Sequence, residues 1–298
     1  MLHLSKFFGY ILILTCVRCI ISLLLFLLQE EVIMAKVRRC KYTFSFGDYK
    51  GKTCGLSADA SGFCIWHNQS NAPKEISIEF LEKRVAEKKT LEGFNLQGAI
   101  LNKIRIKKAI MPRVNLKEAR LIDADLEGAY LSESNFQRSN IKGINLEGAN
   151  LENVNFERAF AEEAFFRNAT LVAANFKRAN LEEANFENAN LENANMIDAD
   201  MENADLENAI LTNSNLSNAK MGNVCLENAS MAEANLEGAD LENANLEGAD
   251  LENANLEDAN LQGASLEAAN LEGISIGGAD LTNANLEDTV LENDEIDL

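Results

Sequence analysis

From Leu91 onward, apolar residues return at every fifth position, a spacing that belongs to neither a helix nor a flat strand. Forty-two positions from Leu91 to Ile296 hold Leu, Ile, Met or Phe, with Ala161 the sole exception, and no insertion or deletion breaks the series. An α-helix turns about 100° per residue, so positions five apart differ by about 140° and the apolar set would spread round the whole cylinder. In a strand, residues i and i−2 share a face. That suits the recurring Ala–x–Leu pair, but the next pair lies an odd number of residues on and would face outward. A chain that corners once per five residues removes the conflict, because each short side then shows one Ala and one Leu to the interior.

The intervening residues carry the corner chemistry. The second residue after each Leu is Gly or Asn in most units (Gly238, Asn243, Gly248, Asn253), the types that accept positive φ at least cost. The residue before the Leu is Asn or Asp in most units (Asn235, Asp240, Asn245, Asp250), whose short side chains bond a turn's backbone. The bulkiest side chains suggest the length of a coil: Phe136, Phe156 and Phe176 lie twenty apart, as do Phe166 and Phe186, and Met201 and Met221. On these residues the A-(D/N)-L-x-x units over 91–298 resemble the pentapeptide-repeat proteins. The resemblance implies an all-β fold, a right-handed quadrilateral β-helix with four pentapeptides per coil. Ten or so coils rising about 4.8 Å each would make a rod roughly 50 Å long. Many members of the family dimerise through a C-terminal helix. None is evident in this sequence, which favours a monomer.

Ahead of the repeats, KEISIEFLEKRVAEKK (74–89) places Ile78, Leu81 and Val85 at helical spacing among charges. It is expected to cap the first coil, and the apolar outward positions Ile100, Ile110 and Tyr130 are expected to lie beneath the docked N-terminal segment. Residues 34–73 differ in kind. Cys40, Cys54 and Cys64 are followed by His67 in a C-x-x-H pair, and four such ligands form a closed tetrahedral zinc site of the structural type. The pattern C, G-x-x-C, G-x-C-x-x-H is similar to short Cys3His zinc modules. Buried thiols without metal are the alternative. A disulfide scheme leaves one of the three cysteines over.

FFGYILILTCVRCIISLLLFLL (7–28) has one charge, Arg18, and is long enough to span a bilayer. Lysines and arginines are denser after it than before it, which orients the body toward the cytoplasm. Alternatively, residues 1–33 precede a true start at Met34. The expected organisation is therefore 1–33 anchor or mis-assigned start, 34–73 zinc-type module, 74–90 capping helix and 91–298 β-helix.

Charge sharpens the functional reading. The chain of 298 residues has a net charge of −20. Residues 1–90 hold 13 Lys and Arg against 8 Asp and Glu, residues 91–178 hold 13 against 11, and residues 179–298 hold Lys220 alone against 28 acids, a net of −27. With coils of twenty, Glu187, Glu207, Glu227, Glu247, Glu267 and Glu287 fall into one row. Like charges at strand spacing repel, so the row is either a copied consensus or a binding surface for a basic protein. At one charge per about 1.1 Å the acidic half is denser than duplex DNA at about 1.7 Å. The family resemblance adds a further alternative, a DNA mimic that binds DNA gyrase or another topoisomerase. Outward Phe160 and Phe165 stand where Asn is expected and form a candidate docking patch for a scaffold, which in a third reading is a membrane-tethered spacer presenting the zinc module. His3 and His67 are the only histidines, and no phosphate-cradling Gly loop or metalloprotease motif occurs. The sequence therefore argues for a protein-binding module, with no small-molecule substrate and no nucleic acid on the rod, and against an enzyme.

Overall fold

The computed structural model describes residues 39–45, 50, 52–56, 58, 63–70 and 76–289. The expected membrane segment at 7–28 and the alternative start at Met34 lie outside the described residues. Two compact units separate: the described residues of Met1–Thr43 with Gly51–Cys64, and those of Phe44–Lys50 with Ile65–Leu298. In the first, Thr43 and Thr53 form an antiparallel bridge flanked by Cys40 N–H to Leu56 carbonyl (2.8 Å) and Cys54 N–H to Tyr42 carbonyl (2.9 Å).

The second unit is a continuous coil in which residue i pairs with residue i+20. Parallel bridges run without interruption from Asn95↔Asn115 to Ser265↔Asn285, always through the residue before the Leu position. Twenty residues therefore make one circuit of four sides. Each side holds a single bridge, because most of its five residues are spent on the corner. There the amide three residues after each Leu donates back to that Leu's carbonyl (Ala99 to Leu96, 3.0 Å), and the second of the two residues between them has positive φ, as a type II turn requires. Each bridge consists of two bonds, as in Asn115 N–H to Phe94 carbonyl (2.9 Å) and Leu96 N–H to Asn115 carbonyl (2.7 Å), and one further donor per side joins the coils, as in Gly98 N–H to Lys117 carbonyl (2.9 Å).

The apolar positions behave as the period predicts. The Leu-position and Ala-position side chains are buried almost throughout 91–271. Phe156 and Phe176 stack face to face at 4.8 Å and 6°, as do Phe166 and Phe186 at 4.7 Å and 5°, while Phe136 tilts by 32° on Phe156 at 5.0 Å. The two columns meet edge to face at 5.7 to 5.8 Å. The ring spacing equals the strand spacing, so backbone pairing and aromatic stacking share one pitch. In the last described coil Ile274, Ile276, Leu281 and Leu286 are only partly buried, as befits the end of a stack.

Helix α1, Ile78–Ala86, precedes the coils. Ser77 caps it, its Oγ accepting from the Phe80 amide at 3.2 Å, and it ends where Lys88 turns to φ 58°. Leu81 is fully buried, while Ile78, Phe80 and Val85 pack against the same core. Trp66 lies between Phe80 and Phe94, with centroids at 5.0 and 5.3 Å. The outward apolar positions do not all lie under this segment: Ile100 is 64% exposed, because a side chain at the bridging position points away from the coil it stabilises.

Positive φ is also imposed on residues that resist it, including Lys103, Arg138, Arg158, Glu183 and Ala268. The corner geometry thus overrides local preference, at roughly 1 kcal/mol for each such side chain. Gly248 is a stricter case. At φ +65° an added Cβ would lie 2.7 Å from Asn228 Oδ1 in the preceding coil. Gly248→Ala is therefore expected to cost about 1–2 kcal/mol, measured as a lower denaturant midpoint. Asn228→Gly in the same chain should recover part of the loss, and an unchanged midpoint in the single variant would contradict the packing described.

Candidate functional site

The chain has two candidate regions, a cysteine–histidine cluster and the outer surface of the coil. Cys40 and Cys54 sit on the two paired segments of the first unit, and the pairing around Thr43 and Thr53 closes the loose thirteen-residue gap between them. Cys64 follows, its Sγ 3.7 Å from Cys54 Sγ. Three residues later, across a turn, comes His67. One ligand atom from each of Cys40, Cys54, Cys64 and His67 lies within 4.8 Å of all the others. Three of the four residues are buried, and none of the cysteines is in a disulfide. The cluster can hold a metal ion. A tetrahedral zinc with Zn–S near 2.3 Å sets its sulfurs about 3.8 Å apart, which the Cys54–Cys64 distance already matches. As thiols, the pair shares a hydrogen bond. That bond first, and burial second, push the Cys54 thiol well above the ordinary thiol range.

A backbone contact fixes the tautomer of the histidine. His67 Nε2 lies 2.9 Å from the Glu92 backbone carbonyl, which can only accept. Nε2 therefore carries the proton, which leaves Nδ1 as the ring nitrogen with a lone pair that can bind a metal. Phe44 and Phe94 hold the ring edge to face at 5.9 and 5.1 Å. Glu92 itself was not visible as special in the sequence, since it occupies an ordinary outward corner position. Its side chain is fully buried, and its Oε1 accepts from the Ser45 amide (2.7 Å) and hydroxyl (2.9 Å) and pairs with Arg113.

On the coil, the six glutamates from Glu187 to Glu287 do fall in one row. Consecutive rungs are fixed by backbone bonds of 2.9 Å from Asn188 to Glu207, Asn208 to Glu227, Asn228 to Glu247, Gly248 to Glu267 and Ala268 to Glu287. Four rungs are steadied by the residue two before, whose side-chain oxygen accepts the glutamate amide: Asn185, Asp205, Asn245 and Asn285. Among the described residues only the first rung meets a cation, Arg167 at 2.8 Å from Glu187. Lys220, the single base of the acidic half, pairs instead with Asp200 on another row, at 2.9 Å. Cys225 interrupts the Asn/Asp support under Glu227, and burial pushes its thiol up.

Phe160 and Phe165 are 52% and 48% exposed. They sit on adjacent sides, Phe160 between Asn140 and Asn180 and Phe165 between Asn145 and Asn185, while buried Ala161 takes the apolar position beside them. A feature that sequence reasoning missed is a cavity of about 380 Å³ beside the end of α1, lined by four lysines. The two Lys-Lys doublets, 88–89 and 107–108, are visible in the sequence, but their meeting depends on where α1 sits beside the coil.

A twenty-residue, four-sided coil paired level on level defines a repeat solenoid. The pentapeptide-repeats family model matches in eight copies across residues 109–148, 149–188, 172–213, 189–228, 234–273 and 259–293, and the chain belongs to that family, whose fold is the right-handed quadrilateral β-helix. No catalytic family is indicated. Comparison with curated proteins returns no match. Among solved structures, HetL, a protein involved in heterocyst differentiation regulation in Nostoc sp. strain PCC 7120, is similar at 28% identity, covering 74% of this chain and 100% of its own, with a TM-score of 0.43. Full-length QnrB1, a plasmid-mediated fluoroquinolone resistance protein, is similar at 20% identity over 67% and 92% of the two chains, with a TM-score of 0.36. Rfr23 from Cyanothece 51142 is similar at 30% identity over 51% and 91%, with a TM-score of 0.20. Among the described residues no helix is long and apolar enough to cross a membrane.

Proposed function

We propose that the chain is a non-catalytic protein-interaction module whose acidic coils bind a basic protein partner. The observation that carries this reading is the in-register row of glutamates on coils with a net charge of −27 over residues 179–298. Rungs repeating at about 4.8 Å repel one another, and a basic partner relieves that repulsion on binding. In this reading Glu187, Glu207, Glu227, Glu247, Glu267 and Glu287 are the contact row. The coils occupy 91–298, α1 within 74–90 caps them, and Cys40, Cys54, Cys64 and His67 hold one structural zinc within 34–73.

Pull-down with the full chain tests the binding reading. A partner retained at low salt should be lost at about 0.5 M salt, where the Debye length falls to a few Å. Affinity should drop at least tenfold when Glu207, Glu227, Glu247 and Glu267 are changed together to Gln. Retention insensitive to both treatments, but lost in a Phe160→Ser/Phe165→Ser variant, would replace this reading with the passive scaffold.

The charge density favours one named alternative, mimicry of DNA toward DNA gyrase or another topoisomerase, since the acidic half exceeds the duplex in charge per length. Inhibition of purified gyrase supercoiling by the parent, and not by the four-Gln variant, is its expected signature.

A further inference from the structure

The cavity at the end of α1 has two chemically distinct walls. Val85, Ala109 and Ile110 form an apolar wall, Lys88, Lys89, Lys107 and Lys108 form the other, and no carboxylate is among the lining residues. We propose that this cavity is a binding site for a small organic phosphate, with the phosphates held by the lysines and the organic body resting on the apolar wall.

The end of α1 and the coil segment 107–110 bring four lysines to one cavity. Lys88 sits in the turn that ends α1, its amide donating to the Val85 carbonyl at 2.8 Å, and Lys108 sits on a coil corner; both have positive φ (58° and 54°). Lys89 and Lys107 flank them in sequence. The stem of Lys108 runs over Gly128, its Cγ 3.3 Å from where a Cβ would stand. A larger residue at 128 would push that stem away.

The opposing charges decide whether the field stays positive. Lys89 is paired with Glu87 at 2.7 Å, and Lys107 with Asp125 at 3.2 Å and Glu127 at 2.5 Å. The end of α1 contributes about half a negative charge. Lys108 has no carboxylate partner among the described residues, and Glu87, Asp125 and Glu127 are not among the residues that line the cavity. A diphosphate brings two or more charges to this point, and lysine ammoniums bind phosphate as point charges without needing the planar fork of arginine. The volume falls within the range of small-molecule pockets, and the apolar wall distinguishes the site from a bare basic patch. This inference is independent of the acidic row and of the zinc reading.

Calorimetric titration of the full chain with ADP and, separately, with pyrophosphate tests it. ADP should bind at least fivefold more tightly than pyrophosphate, and its affinity should weaken at least tenfold in Lys88→Glu/Lys108→Glu. It should weaken as much in Ile110→Trp, which fills the cavity without changing charge at a position whose equivalents already carry Tyr130 and Phe165. No binding of either probe at millimolar concentration, or equal affinity for both, overturns the proposal. These two outcomes are read on the unmodified chain and do not depend on a variant's folding. Binding lost in the charge variant but kept in Ile110→Trp also overturns it, because the lysines would then act as a diffuse basic surface.

Discussion

Replacing Cys64 by serine is expected to release the metal and unfasten the segment around it. Structural zinc sites contribute about 10–16 kcal/mol of apparent binding free energy in small modules, far more than the few side chains buried here supply. The parent chain is expected to carry one zinc by elemental analysis, and Cys64→Ser or chelation to carry none. Trp66 is the only tryptophan in the chain and lies two residues from Cys64, stacked between Phe80 and Phe94. Its emission should shift to the red as the metal leaves, giving an optical readout of the site's integrity. A zinc-free parent chain with the emission of a buried indole would refute the zinc assignment.

The second large effect is in the coil itself. Phe176 touches Phe156 face to face and both Phe166 and Phe186 edge to face. Phe176→Ala removes the ring on which two columns interlock, and a loss of about 3–5 kcal/mol is expected. Phe176→Leu restores the residue most common at such positions and should cost well under half as much. In a solenoid each coil contacts mainly its neighbours, so amide exchange should quicken around 156–196 and keep the parent's rate in coils far from it. Uniform acceleration along all the coils would show instead that the structure unfolds as one unit.

The fold was legible because its signal is geometric and repeated. A period of five excludes helix and strand at once, and the twenty-residue spacing of Phe136, Phe156 and Phe176 gave the coil length that the bridges display. The corner residues were legible only in part. Asn and Gly at positive φ follow from their chemistry, whereas Lys103, Arg158 and Glu183 adopt the same φ because the coil leaves no alternative.

The four metal-ligand candidates could be read from C-x-x-H and the preceding cysteines, but the pairing of Thr43 with Thr53 that gathers Cys40 and Cys54 has no periodic signature. Glu92 was invisible for a different reason. Its burial depends on Ser45 and Arg113, 47 and 21 residues away, and no local pattern encodes such a meeting. The lysine-lined cavity arises likewise from the placement of α1 beside residues 107–110.

The i to i+20 register has a consequence for how such a chain can change length. Removing or inserting twenty residues shortens or lengthens the column by one storey and leaves every remaining side chain beneath the same kind of neighbour. Removing five preserves the apolar interior equally well, yet it swings everything downstream by a quarter turn. The carboxylates beyond the cut then continue on a different wall from those before it. The interior therefore tolerates any whole number of units, while a straight line of charge survives only changes in multiples of four.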